Sequence, residues 1–304
     1  GLGSLDGVAE EKAHLLDSAT EGAWLIAPSD VLLRPAFKSV RDRAIAVYRQ
    51  GETLPISCAE NWAYRWDQVG SDQVEVHIDR EGFGMKYRLQ TMSAGMVQNS
   101  VLAVVCGARL GRDSAELIAG IEAWKPSENR GVWARFGEAW IYEDSYNANP
   151  TSMLDALGAF HKLAGTAGKR LYVIGMMNEL GKDAEHLHRG IGEAVPYQKG
   201  DRLIFIGEDQ WTDAYIQGAQ SAGWSDSELE SFTSIQFCQI THLFPSPQHL
   251  IHFQLFQFCN DPRANPKANE HRSESTKSNS QRQVAEQSKR TKKSFKIRCS
   301  DCRK

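Results

Sequence analysis

Two units of mixed α/β structure followed by a polar tail is the architecture this sequence predicts, on three observations. Between Glu138 and Ala222 short apolar runs alternate three times with amphipathic helical segments, the pattern of parallel β-α units. The chain has 304 residues, 41% hydrophobic and 24% charged, which is globular composition and length for about two domains. The composition then breaks. No Gly, Trp or Tyr follows Trp224, although the chain contains 25, 8 and 8 of them. Residues 261–304 hold 13 basic and 5 acidic residues in a chain whose net charge is −3. An acidic body therefore joins a basic tail.

The elements follow in order. Helical spacing runs from Val8 to Ser18, AWLIA (Ala23–Ala27) reads as a buried strand, and Val31–Arg49 reads as an amphipathic helix apart from Pro35. The alternating runs Gln73–Asp79 and Gly84–Gln90 predict a hairpin turning at Gly82. An apolar helix spans Met96–Leu110 and stops at Gly111; a second spans Ser114–Trp124 and closes before Pro126. Lys125–Gly131, KPSENRG, has hinge composition. Then come strand Glu138–Glu143 with helix Thr151–Leu163, strand Arg170–Gly175 with helix Asp183–Val195, and strand Asp201–Gly207 with helix Asp209–Ala222. Strands apolar on both faces with right-handed crossovers make a Rossmann-like parallel sheet, whose ligands belong at the carboxyl ends of its strands. The expected division is 1–126, 127–234 and a tail over 235–304, with Asn260–Lys304 disordered.

Several function classes are excluded early. No run reaches 18 consecutive apolar residues, so no membrane span is expected, and the N-terminus lacks the basic and apolar regions of a signal peptide. Its first residue is not Met, which suggests that residue 1 is not the natural start. The six cysteines form no disulfide framework, which favours a reducing cytoplasm. In the tail, CSDC (Cys299–Cys302) is half of a zinc pattern, with His242, His249, His252 or Cys259 as the remaining candidates, and no second paired motif accompanies it. The basic run Ser288–Arg298 could neutralise phosphates nonspecifically; a solvated tail is the expectation, and nucleic acid is not an expected partner.

The most specific string is DSYNANPTSM (Asp144–Met153), placed where a strand ends and a helix begins. As turn chemistry, Asn147 and Asn149 suit turns and caps, and Pro150 suits a first helical turn. With its flanks, WIYEDSYNANPTSMLDAL also resembles the start of the C-terminal domain of the bacterial Mur ligases, those of the MurF type in particular. Leu2–Lys12 (LGSLDGVAEEK), Met96–Gly111, Glu128–Gly131 (ENRG) and Val173–Gly181 (VIGMMNELG) followed by His188 agree in the same order. The similarity covers about residues 1–234.

The resemblance implies the later part of a central ATPase domain, then a Rossmann-like C-terminal domain, then a non-homologous tail. It implies ATP-driven amide synthesis with ATP and Mg²⁺: a peptide carboxylate becomes an acyl phosphate, an amine attacks it, and phosphate leaves. For the MurF type the partners are UDP-N-acetylmuramoyl-tripeptide and D-alanyl-D-alanine, in a cytoplasmic enzyme expected to be monomeric. Lys12 matches a lysine that many members carry as a carbamate holding magnesium. Asn99 matches an asparagine near the adenine, Arg130 an arginine that contacts the nucleotide, and Asp144 an acidic residue that reaches it from the C-terminal domain. Tyr146, Asn147 and Asn149 line the turn where the dipeptide is expected, with substrate contact and turn architecture both open.

Departures accompany the matches. Met176 stands where members usually carry Asp, and no G-x-x-G-K-[ST] phosphate loop occurs in the chain. The resemblance thus implies a fragment, inactive alone, whose tail arises from a shifted frame or an aberrant junction. Another amino-acid ligase of the superfamily and a noncatalytic α/β binding fragment are the alternatives.

Overall fold

A computed structural model describes residues 4–52, 57–136, 139–165, 168–233 and 249–254. Residues 1–257 make one unit by their internal contacts. Two sheets organise it.

The first sheet runs in the order β1 (Leu25–Pro28), β2 (Ala44–Arg49), β3 (Glu60–Gln68), β4 (Val74–Arg80), β5 (Phe83–Leu89). β1, β2 and β3 are parallel, whereas β3, β4 and β5 form an antiparallel meander. Alternation along the meander buries Trp62, Tyr64, Val74, Val76, Ile78, Met85, Tyr87 and Leu89. Helix α3 (Ala94–Arg109) packs Val97, Val101, Val104 and Val105 into the same core at helical spacing. The buried Tyr87 hydroxyl lies 2.7 Å from Ser100 Oγ, so α3 is fixed by a polar contact as well as by packing. On the other face of the meander Glu75 pairs with Lys86 at 2.7 Å. The hairpin turns at Gly82 with φ +75°, as expected for a glycine there.

The first sheet corrects one expectation. Val31–Arg49 is not a helix: α1 (Leu5–Ala13) and a short α2 (Ser29–Leu32) precede a 3₁₀ stretch, Pro35–Arg43, and Ala44–Arg49 is the strand β2. Pro35 interrupts the helix, and Ala44, Ile45, Ala46 and Val47 are fully buried, the last three paired on both sides. No sequence pattern marks strand β3, which lies between the expected elements.

After α4 (Ser114–Glu122) the chain enters the second sheet, ordered β10 (Leu229–Phe232), β9 (Arg202–Ile206), β8 (Lys169–Gly175), β11 (His249–Gln254), β7 (Ala139–Glu143), β6 (Val132–Phe136). All pairings are parallel except that of β6 with β7. Helices α5 (Pro150–Ala164), α6 (Ala184–Ala194) and α7 (Asp209–Ser221) follow β7, β8 and β9, as the alternation predicted. Leu171, Tyr172, Val173 and Ile174 of β8 are fully buried. Helices α6 and α7 meet backbone to backbone: a Cβ built on Gly192 would lie 2.1 Å from the Tyr215 carbonyl oxygen, and one on Gly218 2.0 Å from that of Arg189.

Within 235–304, expected to be unrelated tail, residues 249–254 depart from the expectation: they form β11, inserted between β7 and β8. The expected disorder of Asn260–Lys304, and His242, Cys259, Cys299 and Cys302 of the zinc reading, lie outside the described residues. Cys58 and Cys106 are free thiols. Among the described residues no helix is long and apolar enough to cross a membrane.

Candidate functional site

Three segments converge where the two sheets meet: α3, the linker after α4, and the turn after β7. A pocket of about 310 Å³ is lined by Met96, Asn99, Ser100 and Ala103 of α3, by Leu89, by Ile121 and Trp124, and by Ser127 and Arg130 of the linker. The four α3 positions share one helix face. Asn99 and Arg130, chosen from distant parts of the sequence, thus lie on one cavity.

The linker is held in shape by its backbone. Asn129 (φ +63°) and Gly131 (φ +68°) adopt left-handed conformations on either side of Arg130, which Asn and Gly tolerate best. The Asn129 carbonyl accepts hydrogen bonds from the Ser145 and Tyr146 amides, both at 2.9 Å. That bond pair staples linker to strand-end turn. The Arg130 guanidinium consequently lies over the Tyr146 ring, 3.5 Å from its centroid.

Asp144 stands at the start of the turn, and its carboxyl is pushed up to about 6. Burial is the main cause and the negative charge of Asp155 adds to it, while Arg130 opposes both. Farther along, the Asn147 side-chain oxygen accepts from the Ala148 amide at 3.0 Å. Asn149 caps α5: its Oδ1 accepts from the Ser152 amide at 3.0 Å, and its own amide donates to Ser152 Oγ at 3.2 Å. Turn architecture therefore occupies both asparagine side-chain oxygens. Tyr146 is 61% exposed and open to a ligand.

Asp155, one turn into α5, was not singled out from the sequence. Its carboxylate accepts from Ser93 Oγ at 2.5 Å, from the Ala94 amide at 2.8 Å and from the Gly95 amide at 3.1 Å. Ser93 itself caps α3, accepting from the Met96 amide at 3.0 Å. The sequence signals for this were a Ser before a helix and a lone Asp amid apolar neighbours, both too common to choose. The apolar wall from Ile121 and Trp124 carries in the sequence only the signature of a helix end.

Two other positions have structural roles. His188 is fully buried; its Nδ1 donates to the Ala184 carbonyl at 2.6 Å, and its Nε2 accepts from the Met177 amide at 3.1 Å. Burial lowers its pKa, so the imidazole is a neutral pin under the turn after β8. Met176, in that same turn, abuts Gly207, where an added Cβ would lie 3.0 Å from its own Cβ.

Lys12 lies exposed on α1. Among the described residues no group of three or more His, Cys, Asp or Glu could hold a metal ion. The neighbours of Lys12 on α1 include the carboxylates Glu10 and Glu11. The pocket, in contrast, suits a planar heteroaromatic ring: an apolar slot, one amide with both donor and acceptor, and a guanidinium for a negative group.

Residues 129–244 match the family described as Mur ligase, glutamate ligase domain, against the expected 127–234. The UDP-N-acetylmuramoyl-tripeptide–D-alanyl-D-alanine ligase of Bacillus subtilis (strain 168) is 26% identical over 209 residues, covering 68% of this chain and 43% of that protein. MurF from Acinetobacter baumannii superposes with a TM-score of 0.64 at 19% identity, covering 84% of this chain and 52% of that one. MurF ligase from Thermotoga maritima, solved in complex with ADP, gives 0.58 at 16% identity, covering 80% and 60%. These structures share the fold. The chain spans about half or less of the length of these B. subtilis and A. baumannii proteins. Residues 129–244 thus match the Mur ligase family model, in a chain similar to UDP-N-acetylmuramoyl-tripeptide–D-alanyl-D-alanine ligases and, in fold, to structures that include MurF.

Proposed function

We propose that this chain supplies the nucleotide-base pocket and the amine-side turn of an ATP-dependent amide ligase of peptidoglycan precursor synthesis. The substrates of that ligase are UDP-N-acetylmuramoyl-tripeptide and D-alanyl-D-alanine, as the names of its relatives have it. The observation that carries the reading is the shared pocket of Asn99 and Arg130, stapled through Asn129 to the turn that starts at Asp144. In this reading the apolar slot takes the adenine, Asn99 reads its edge, and Arg130 meets the phosphates from the face of Tyr146. Asp144 and Tyr146 border the turn where the incoming dipeptide amine is placed. Asn147 and Asn149 shape that turn, and through their remaining amide groups face the dipeptide. The whole ligase forms an acyl phosphate from ATP and the tripeptide carboxylate; the amine then attacks the acyl carbon and phosphate leaves.

Magnesium belongs to the family expectation on Lys12 as a carbamate, and no step here depends on it. The sequence contains no G-x-x-G-K-[ST] string, so these 304 residues alone are expected to bind nucleotide weakly and to turn none over. The free Cys58 and Cys106 support a cytoplasmic setting. Residues 1–126 as a central-domain portion and 127–234 as the C-terminal domain are part of the same proposal.

Calorimetric titration of the full chain with ADP tests the reading. Saturable binding, competed by adenosine and weakened about tenfold in Arg130→Ala and in Asn99→Ala, is the expected result. A folded chain with no saturable ADP binding refutes it.

A further inference from the structure

Helix α5 is tied to both walls of the pocket, to one directly and to the other through the turn before it. One wall is the linker with Arg130, stapled through the Asn129 carbonyl to Ser145 and Tyr146, which lead directly into the α5 capping box. The other is the α3 face with Met96, Asn99 and Ser100, whose preceding residues Ser93, Ala94 and Gly95 all donate to the Asp155 carboxylate of α5. A carboxylate accepting three donors at a helix N-terminus is a strong, directional contact, aided by the helix dipole. Its donors lie 60 to 62 residues earlier in the chain. Gly95 leaves room for it: a Cβ there would lie 3.0 Å from Asp155 Oδ2.

We propose that Asp155 is the positioning residue of the pocket: by clamping the first turn of α3 to α5 it holds the Asn99 wall in register with the Arg130 and Tyr146 wall. Asp155 does not itself line the pocket; it acts through α3. The ligand of the pocket rests on the reading under Proposed function, whereas the clamp does not. A second contact between α5 and the first sheet supplies the control. Lys162 Nζ lies 4.5 Å from the Trp66 ring centroid, on the same helix face two turns on, and neither residue lines the pocket.

The test compares the full chain with Asp155→Ala and Lys162→Ala, each verified as folded by circular dichroism at the working temperature. ADP affinity is expected to fall about tenfold in Asp155→Ala and to change less than about twofold in Lys162→Ala. If Asp155→Ala binds ADP as the unaltered chain does, or Lys162→Ala loses as much, the positioning role is overturned. Amide hydrogen exchange tests the clamp without any ligand. Asp155→Ala is expected to accelerate exchange at Ala94 and Gly95, and through Asn99–Ala103, by at least about tenfold relative to β8. Failure of ADP binding by the unaltered chain refutes the nucleotide reading, and unchanged exchange in α3 refutes the clamp.

Discussion

Asp144 is held against its own ionisation, and relieving it should stabilise the protein. Replacing Asp144 by Asn removes the charge while keeping the shape. In the folded chain the carboxyl is raised from 3.8 to about 6, so the folded state holds its proton more tightly than the unfolded state. Stability from this group is therefore present at low pH and is lost as pH rises through about 6. Linkage places the advantage of Asp144→Asn at about 1 kcal/mol near pH 4.5 and, as a ceiling, about 3 kcal/mol at pH 7. For a body of this size that is roughly 6 °C or more in melting temperature at neutral pH. Thermal melts of both proteins at half-unit steps from pH 4.5 to 8 should show the gap widening up to about pH 6 and then flattening. A gap that is constant with pH, or an Asn variant less stable at pH 8, would refute the assignment of burial and Asp155 as the causes. The same variant should bind ADP differently from the unaltered chain, since it removes a charge that Arg130 feels.

Other perturbations follow from the packing and the buried polar groups. Gly192→Ala or Gly218→Ala drives a methyl into a facing carbonyl at 2.1 or 2.0 Å, so each should cost about 2 kcal/mol or more, read as a lower urea midpoint. His188, whose pKa burial lowers, should titrate below 6.5 by imidazole NMR, and stability should fall as pH drops below that value; a midpoint at or above 6.5 contradicts the pin. Arg170 and Asp201 form a buried ion pair at 2.8 Å. Asp201→Ala should cost about 3–5 kcal/mol by stranding the guanidinium, and a double replacement with apolar residues should recover much of that, both measured by chemical denaturation.

The parts legible in the sequence are those where one local pattern fixes one structure. Leu171–Ile174 read as a strand because a parallel strand covered on both faces needs an unbroken apolar run. The Asn149–Pro150 pair read as a helix start because cap and first turn demand those residues. Ala44–Arg49 failed because a short apolar run has no period of its own, and the Val31–Arg43 pattern before it absorbed it into a helix. His249–Gln254 carries polar residues where a central strand is ordinarily apolar, so no pattern marked it. At the site, Asn99 and Arg130 came from resemblance, whereas Asp155 acts through a contact across 60 residues that no local spacing encodes.

The place of β11 has a consequence for how the second sheet is assembled during synthesis. Strands β7 and β8 are consecutive in the chain yet are bridged only by β11, which is made some 75 residues after β8. Until the ribosome has released His249–Gln254, two parallel strand edges face a one-strand gap, and the sheet stays in two parts. Long-range closure of this kind slows folding and leaves those edges available to other chains. A nascent chain stalled before residue 249 is therefore the species most prone to aggregate, and a chaperone that binds strand edges would matter most in that interval of translation.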